Sequence, residues 1–140
     1  HALALGGFDE NFVRVAYRFE AEFAHRWRAA GGRIRFEPGA LIHHLKVAAG
    51  GTRSYGEHLA TTRPDHAVGA FYYALSTGGL IALVRSAPGR LWTAIATRHH
   101  LRHPWWIPLT LLAELRGLLW ALRLHWAGPR YIDEEDGALG

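Results

Sequence analysis

The chain of 140 residues is long enough for one folded domain with a hydrophobic core, and its 49% hydrophobic and 20% charged residues exclude a disordered or fibrous protein. Its net charge of +4 comes mostly from arginine, which suits contacts with phosphate or carboxylate groups, although charge alone does not separate nucleotides, nucleic acids and anionic lipids. The absence of cysteine excludes disulfides and thiolate metal sites.

A glycine-containing turn comes first. Gly6 and Gly7 permit positive φ angles or a close approach to a ligand. The next residues place Asp9 between two aromatic anchors, Phe8 and Phe12, and taken alone this pattern is typical of a surface turn.

Aromatic residues at helical spacing predict an amphipathic helix from Tyr17 to Ala30, which Gly31 and Gly32 should end. Its apolar stripe comprises Phe19, Phe23, Trp27 and Ala30.

The helix carries two glutamates. Glu22 lies four residues from both Arg18 and Arg26, as in exposed helical ion pairs, which contribute about 0.3–0.5 kcal/mol each. Glu20 has no basic residue three or four positions away and flanks the apolar stripe beside Trp27. We expect Glu20 to be half-buried, an environment that suits a general base; the alternative is a solvated glutamate at the helix edge.

Two short strands are predicted next. Residues 33–36 alternate polar and apolar side chains, and residues 40–42 follow a turn at Glu37-Pro38-Gly39. His43 and His44 come directly after them, and because neighbouring strand residues face opposite sides, only one should face a ligand. That imidazole would bind a divalent ion or phosphate, unless it is simply a solvated or hydrogen-bonded histidine at a strand end.

The rest of the chain is predicted to be helical. A helix that begins near Thr61 to Asp65 should end at Gly78-Gly79, and Pro88-Gly89 should interrupt the segment after it. The uncharged stretch 67–84 reaches the length of a membrane span, but its glycine pair and polar residues favour two packed helices.

A last helix is predicted from about Pro104 to Ala127, with Gly128-Pro129 ending it. It is rich in Leu and Trp, and Arg116 and Arg123 share one of its faces. This pattern fits either a helix lying at a membrane interface or a helix packed on the rest of the protein.

The ordered motifs of residues 3–55 resemble the C-terminal part of the catalytic domain of glycosyltransferase family 2. The resemblance is carried by GGFDENF, the helix with acidic residues at 20 and 22 followed by Arg26, the glycine pair, RIRFEP, and a histidine six residues after Pro38. It implies an α/β fold, namely the C-terminal portion of a GT-A (Rossmann-like) domain over residues 1–56. Composition adds a helical extension over 57–130, which would lie at a membrane interface or pack on the rest of the protein, and an acidic tail over 131–140.

The resemblance also assigns roles to residues. Glu20 takes the position of the catalytic base, although Asp is more common there and Phe19 replaces an acidic residue. His44, rather than His43, takes the place of the metal or diphosphate ligand. The loop at residues 50–54 looks like the loop that closes over the nucleotide diphosphate, with Arg53 neutralising the leaving group, and acceptor-side contacts fall on Gly6, Gly7 and Asp9.

The implied function is inverting transfer of a sugar from a nucleotide-sugar donor to a hydroxyl of a saccharide or lipid-linked acceptor. A divalent cation, Mg or Mn, would be held mainly by residues outside this chain, because no Asp-x-Asp occurs in it. The donor-binding half is expected N-terminal to residue 1, so the chain alone should be inactive. The implied location is cytoplasmic, at the inner face of the cell membrane.

The competing interpretation is a non-enzymatic, basic and Trp-rich helical module that binds a membrane or a partner protein and keeps a degenerate catalytic remnant. Nucleic-acid binding is not expected, since no recognisable module for it is present.

Overall fold

The computed structural model describes residues 2–43 and 59–132, and the secondary structure within these ranges is entirely helical. Its α-helices are α1 (Phe19–Ala29), α2 (Val68–Ile95), α3 (Arg98–Arg102) and α4 (Ile107–Ala127). Short 3-10 turns occur at Leu3–Leu5, Pro64–His66 and Pro104–Trp106.

The predicted α/β fold is wrong for the described residues. Residues 33–36 and 40–42 are irregular, and the side chains of Ile34 and Phe36 are 61% and 86% exposed. A strand is stable only when a neighbouring strand completes its hydrogen bonds and covers its apolar face. No other strand exists in residues 2–43 and 59–132, so the alternating pattern has nothing to pair with.

The core lies where α2 packs along α4 and where the segment before α1 packs onto both. Close approach depends on two glycines. A Cβ on Gly117 of α4 would lie 2.5 Å from the Cβ of Ala67, and one on Gly69 would lie 2.6 Å from the carbonyl oxygen of Tyr17. The buried core comprises Phe12, Ala67, Val68, Phe71, Tyr72, Leu75, Leu83 and Ala121, so residues from both the predicted catalytic part and the predicted helical extension share it.

Glycines end or break the helices as predicted. After α1, Gly31 has a φ angle of +84° and the N–H of Gly32 donates to the carbonyl of Trp27 at 2.9 Å. Within α2, Gly79 has φ 62° and ψ −158°, which divides α2 into two helical segments at the predicted glycine pair.

Pro88 does not interrupt the chain as predicted, because it lies inside the second segment of α2. Contacts on both sides hold that segment in place: Leu83 belongs to the core, and Arg90 is bonded to Glu114 of α4. Tertiary packing therefore outweighs the low helix propensity of proline.

By length and composition, the stretch Pro64–Ile95 is apolar enough to cross a membrane. However, 44% of its most apolar window is buried inside the protein, as in the core helix of a soluble protein, so this is weak evidence for a span.

Candidate functional site

Arg26 on α1 holds the N-terminal turn in place. Its Nε and Nη2 donate to the two carboxylate oxygens of Glu22 at 2.6 and 3.0 Å, and its Nη1 and Nη2 donate to the carbonyls of Leu5 and Gly7 at 2.5 and 2.7 Å. Burial alone would lower the pKa of Arg26, but the hydrogen bond and charge of Glu22 outweigh it and raise that pKa.

The predicted exposed position of Glu22 is therefore wrong, since Glu22 is only 2% exposed. The physical reason is that Arg26 binds two backbone carbonyls of the turn, and this places the pair under the turn rather than on the surface.

Gly6 and Gly7 both have positive φ angles, +75° and +62°. A Cβ on Gly6 would lie 2.5 Å from the Cβ of Tyr131, so the glycine allows the segment after α4 to pack against the turn. The ring of Tyr131 in turn covers the guanidinium of Arg26, with 4.4 Å from Cζ to the ring centroid. In the described structure the two glycines thus serve packing, and their predicted contact with an acceptor stays a prediction.

Asp9 lies in the interior. Its Oδ1 accepts from the backbone N–H groups of Asn11 and Arg130 at 2.9 and 3.0 Å, and its Oδ2 accepts from the hydroxyl of Tyr72 at 2.6 Å. Desolvation and this bond to Asp9 raise the pKa of Tyr72 well above its usual range. Asp9 and Asn11 are 3% and 2% exposed, so the turn is not the surface turn expected from its sequence, and we assign Asp9 a structural role.

The segment that leads into α1 is strained. Three non-glycine residues, Arg14, Ala16 and Arg18, have φ angles of 64°, 52° and 73°. Left-handed backbone at such residues costs of order 1–3 kcal/mol each and is over-represented at functional sites. The guanidinium of Arg18 lies over two aromatic rings, 5.3 Å from Tyr17 and 5.2 Å from Tyr73, and these contacts help to hold the segment.

Glu20 follows this segment directly and is exposed, which corrects the prediction that it is half-buried beside Trp27. Residues two apart on a helix point about 200° away from each other, so when Glu22 faces the turn, Glu20 faces solvent. Glu20 lines an open groove of about 630 Å³ together with Val15, Ala16, Tyr17, Arg18, Phe19 and Ala21.

A second groove, of about 510 Å³, shares Tyr17 and Arg18 with the first. It is also lined by Tyr73, Thr77 and Ser86 of α2. The two adjoining grooves therefore bring together the carboxylate of Glu20, the guanidinium of Arg18 and two tyrosines, and Arg90 also lines the second groove.

The aromatic and cationic members of this site were not predicted. Arg18 was interpreted only as a partner of Glu22, and Tyr73 lies more than 50 residues away in the chain. The one sequence signal for these members was the aromatic–cationic pair Tyr17-Arg18 directly before the helix.

Another charged cluster lies between α2 and α4. Arg90 donates to both carboxylate oxygens of Glu114 at 2.9 and 2.7 Å, beside a small cavity of about 140 Å³. Because each charge neutralises the other, we interpret this cluster as structural.

The predicted metal and diphosphate ligands, His44 and Arg53, lie outside the described residues. Within residues 2–43 and 59–132, no three or more His, Asp or Glu side chains lie together in a way that would hold a metal ion. These residues do not fit a complete cation site, and we derive no step of the chemistry through a cation.

Comparisons of the chain with protein-family models, with curated proteins and with solved structures find no match. The resemblance to glycosyltransferase family 2 rests on the motifs of the sequence, and membership of that family stays a prediction.

Proposed function

We propose that this chain carries the acceptor-activating part of an inverting glycosyltransferase, in which Glu20 removes the proton from an acceptor hydroxyl. The observation that carries the proposal is the contrast between two glutamates on one helix. Glu22 is buried and fully bonded to Arg26, whereas Glu20 is exposed, lines a groove, and makes no hydrogen bond or ion pair with any described residue. A carboxylate that is free of partners and faces a groove is available to accept a proton.

The neighbouring side chains suit a saccharide acceptor. The faces of pyranose rings carry C–H groups that pack on aromatic rings, and Tyr17 and Tyr73 supply such rings along the adjoining grooves. The guanidinium of Arg18 lies over both rings and brings several N–H donors for sugar hydroxyls.

The reaction is a single displacement. The acceptor oxygen gives its proton to Glu20 and forms a bond to the anomeric carbon of the donor sugar. The bond from that carbon to the nucleoside diphosphate breaks, and its electron pair leaves with the diphosphate, so the configuration at the anomeric carbon inverts. The strained segment 14–18 supports this role, because it restricts where the first turn of α1 presents the carboxylate.

The test is Glu20→Gln in the full-length protein, assayed for release of nucleoside diphosphate from nucleotide sugars in the presence of saccharide acceptors. We expect turnover to fall about 10²- to 10⁴-fold, since general-base catalysis contributes that much. Nucleotide-sugar binding should not change, and the unfolding temperature should fall only slightly, because Glu20 makes no hydrogen bond or ion pair with any described residue and contributes only its charge in the first turn of α1.

The matched control is Glu37→Gln, which alters another exposed glutamate that lines neither groove. It should keep wild-type turnover. Wild-type turnover in Glu20→Gln would refute the proposed role.

A further inference from the structure

Helix α4 has an exposed apolar stripe. At 100° per residue, its members fall within a sector of about 100°, on a different side from the buried Ala113, Gly117 and Ala121. This α4 stripe consists of Leu111, Leu112, Leu115, Leu119 and Trp126, whose side chains are 37–74% exposed.

The helix that packs against α4 adds to this apolar surface. Its second segment exposes Leu80, Ile81, Val84 and Trp92, which are 57–71% exposed. Large apolar side chains exposed in this number on two packed helices are typical of a surface that another body covers.

The charge around the stripe indicates what covers it. From residue 66 to residue 132, Glu114 is the only acidic residue, and it is buried against Arg90. The exposed charges of α2 to α4 are therefore all positive: Arg85, Arg98, Arg102, Arg116 and Arg123. Arg116 and Arg123 lie along one edge of the α4 stripe.

Tryptophans lie near both ends of α4. Trp105, just before the helix, is 63% exposed, and Trp126, in its last turn, is 74% exposed. Tryptophan rings favour the headgroup level of a bilayer, where one edge of the ring contacts lipid tails and the N–H contacts water or headgroups.

We propose that the α4 stripe lies in the plane of a membrane that contains anionic lipids. The leucines of the stripe enter the boundary between headgroups and acyl chains, while Arg116 and Arg123 bind lipid phosphates. The helix lies along the membrane and does not cross it, because its other face is buried against α2 and holds the Arg90–Glu114 pair. This surface is separate from the Glu20 groove, so the inference does not depend on the proposed sugar transfer.

The experiment is flotation of the chain with vesicles of phosphatidylcholine alone or of phosphatidylcholine mixed with phosphatidylglycerol. We expect the protein to float with the anionic vesicles at low salt, to float little with the neutral ones, and to bind less as salt is added. The double variants Leu115→Gln/Leu119→Gln and Arg116→Gln/Arg123→Gln should each weaken binding. Loss of two arginines near the lipid surface corresponds to about a thirtyfold loss.

The control is Ile34→Gln/Phe36→Gln, which removes exposed apolar side chains from a segment outside α2 to α4. It should bind anionic vesicles like the wild type. All three variants change exposed residues, and cooperative thermal unfolding shows that each variant is folded. Arg116 donates a hydrogen bond to the carbonyl of Thr62 at 3.1 Å, so only the arginine variant is expected to unfold at a slightly lower temperature than the wild type.

Three results would overturn the inference. One is failure of the wild type to float with anionic vesicles, which would indicate that the α4 stripe is covered by something other than a membrane. Another is a loss of vesicle binding in Ile34→Gln/Phe36→Gln that equals the loss in the two α4 variants. The third is retention on vesicles after an alkaline carbonate wash, which would indicate a spanning helix rather than an interfacial one.

Discussion

Glu20 and Glu22 differ in environment because of helix geometry. They are two positions apart on α1 and therefore face different sides. One carboxylate is bonded twice to Arg26 beneath the N-terminal turn, while the other remains exposed in a groove. About half a helical turn thus separates an acidic residue that stabilises the fold from one whose carboxylate is exposed.

The hydroxyl of Tyr72 connects Asp9 and Asn11 in the interior, donating to Asp9 Oδ2 at 2.6 Å and accepting from Asn11 Nδ2 at 3.0 Å. Tyr72→Phe should lower the free energy of unfolding by about 1–3 kcal/mol at neutral pH, because it leaves buried polar atoms without a partner. Urea unfolding measures this change.

The same residue predicts a pH dependence. Desolvation and the bond to Asp9 raise the pKa of Tyr72 above its ordinary value of 10.0, so the folded state holds this proton more tightly than the unfolded chain. The resulting stabilisation is fully present below about pH 10 and is lost as the pH rises above it. Tyr72→Phe should therefore show a shallower alkaline loss of stability than the wild type.

Tyr73→Phe is the control for both measurements, since the Tyr73 hydroxyl makes no hydrogen bond with any described residue. An alkaline stability profile of Tyr72→Phe that superimposes on the wild-type profile would contradict the assignment. Tyr131, whose pKa is raised by desolvation, accounts for part of the slope that remains.

At the level of elements, the break in α2 depends on one residue. The backbone of Gly79, at φ 62° and ψ −158°, lies in a region that is essentially restricted to glycine. Gly79→Ala should destabilise the protein by about 1–3 kcal/mol, even though a Cβ there meets no atom within 4 Å. Thermal or urea unfolding of Gly79→Ala beside the wild type measures this loss of stability.

Gly89 offers a matched comparison ten residues later in the same helix. A Cβ on it would also meet nothing, but its φ angle is not positive. Gly89→Ala should therefore stabilise the protein by about 0.5–1 kcal/mol. If both variants changed stability in the same direction, the assignment of the break to backbone conformation would fail.

Local sequence patterns predicted the helices, whose signals lie within one segment. They failed for strands and for Pro88, where the outcome depends on residues far away in the chain. The helix over residues 17–30 was found as Phe19–Ala29, and the last helix as Ile107–Ala127, since their periodicity and glycine stops are contained in the segment itself. The strand pattern of residues 33–36 has the right alternation but no partner strand among the described residues. Pro88 was predicted as a break because its contacts across to α4 are not visible in the sequence.

The candidate site shows the same division. Glu20 was identified from a motif, but its exposure depends on where Arg26 places the opposite face of α1. Tyr73 reaches the groove only because α2 folds back beside the segment before α1. Sequence order alone does not show that Glu20 and Tyr73 line adjoining grooves.

At the scale of the whole molecule, Arg26 connects three parts of the chain: the turn at Leu5–Gly7, helix α1 and, through ring contact, Tyr131 after α4. Arg26→Ala should lower the free energy of unfolding by about 3–5 kcal/mol, because the buried Glu22 carboxylate is left without a compensating charge. Arg26→Lys should lose less, since it keeps the charge but not the paired geometry. Denaturant unfolding distinguishes the two.

Arg28→Ala, an exposed position on the same helix, should change stability by less than about 0.5 kcal/mol. Equal effects of Arg26→Ala and Arg28→Ala would show that the Arg26 contacts do not hold the turn.

The N–H of Ile132 donates to the carbonyl of Gly6 at 3.1 Å, and that of Glu10 donates to the carbonyl of Arg130 at 2.9 Å. Residues near the two ends of the described chain therefore meet at one place on the molecule. That place is close to the Glu20 groove, because Phe8 packs on Phe19, with ring centroids 5.1 Å apart, and Phe19 lines the groove. The backbone that enters the described structure at residue 2 and the backbone that leaves it at residue 132 therefore lie beside each other on the molecule.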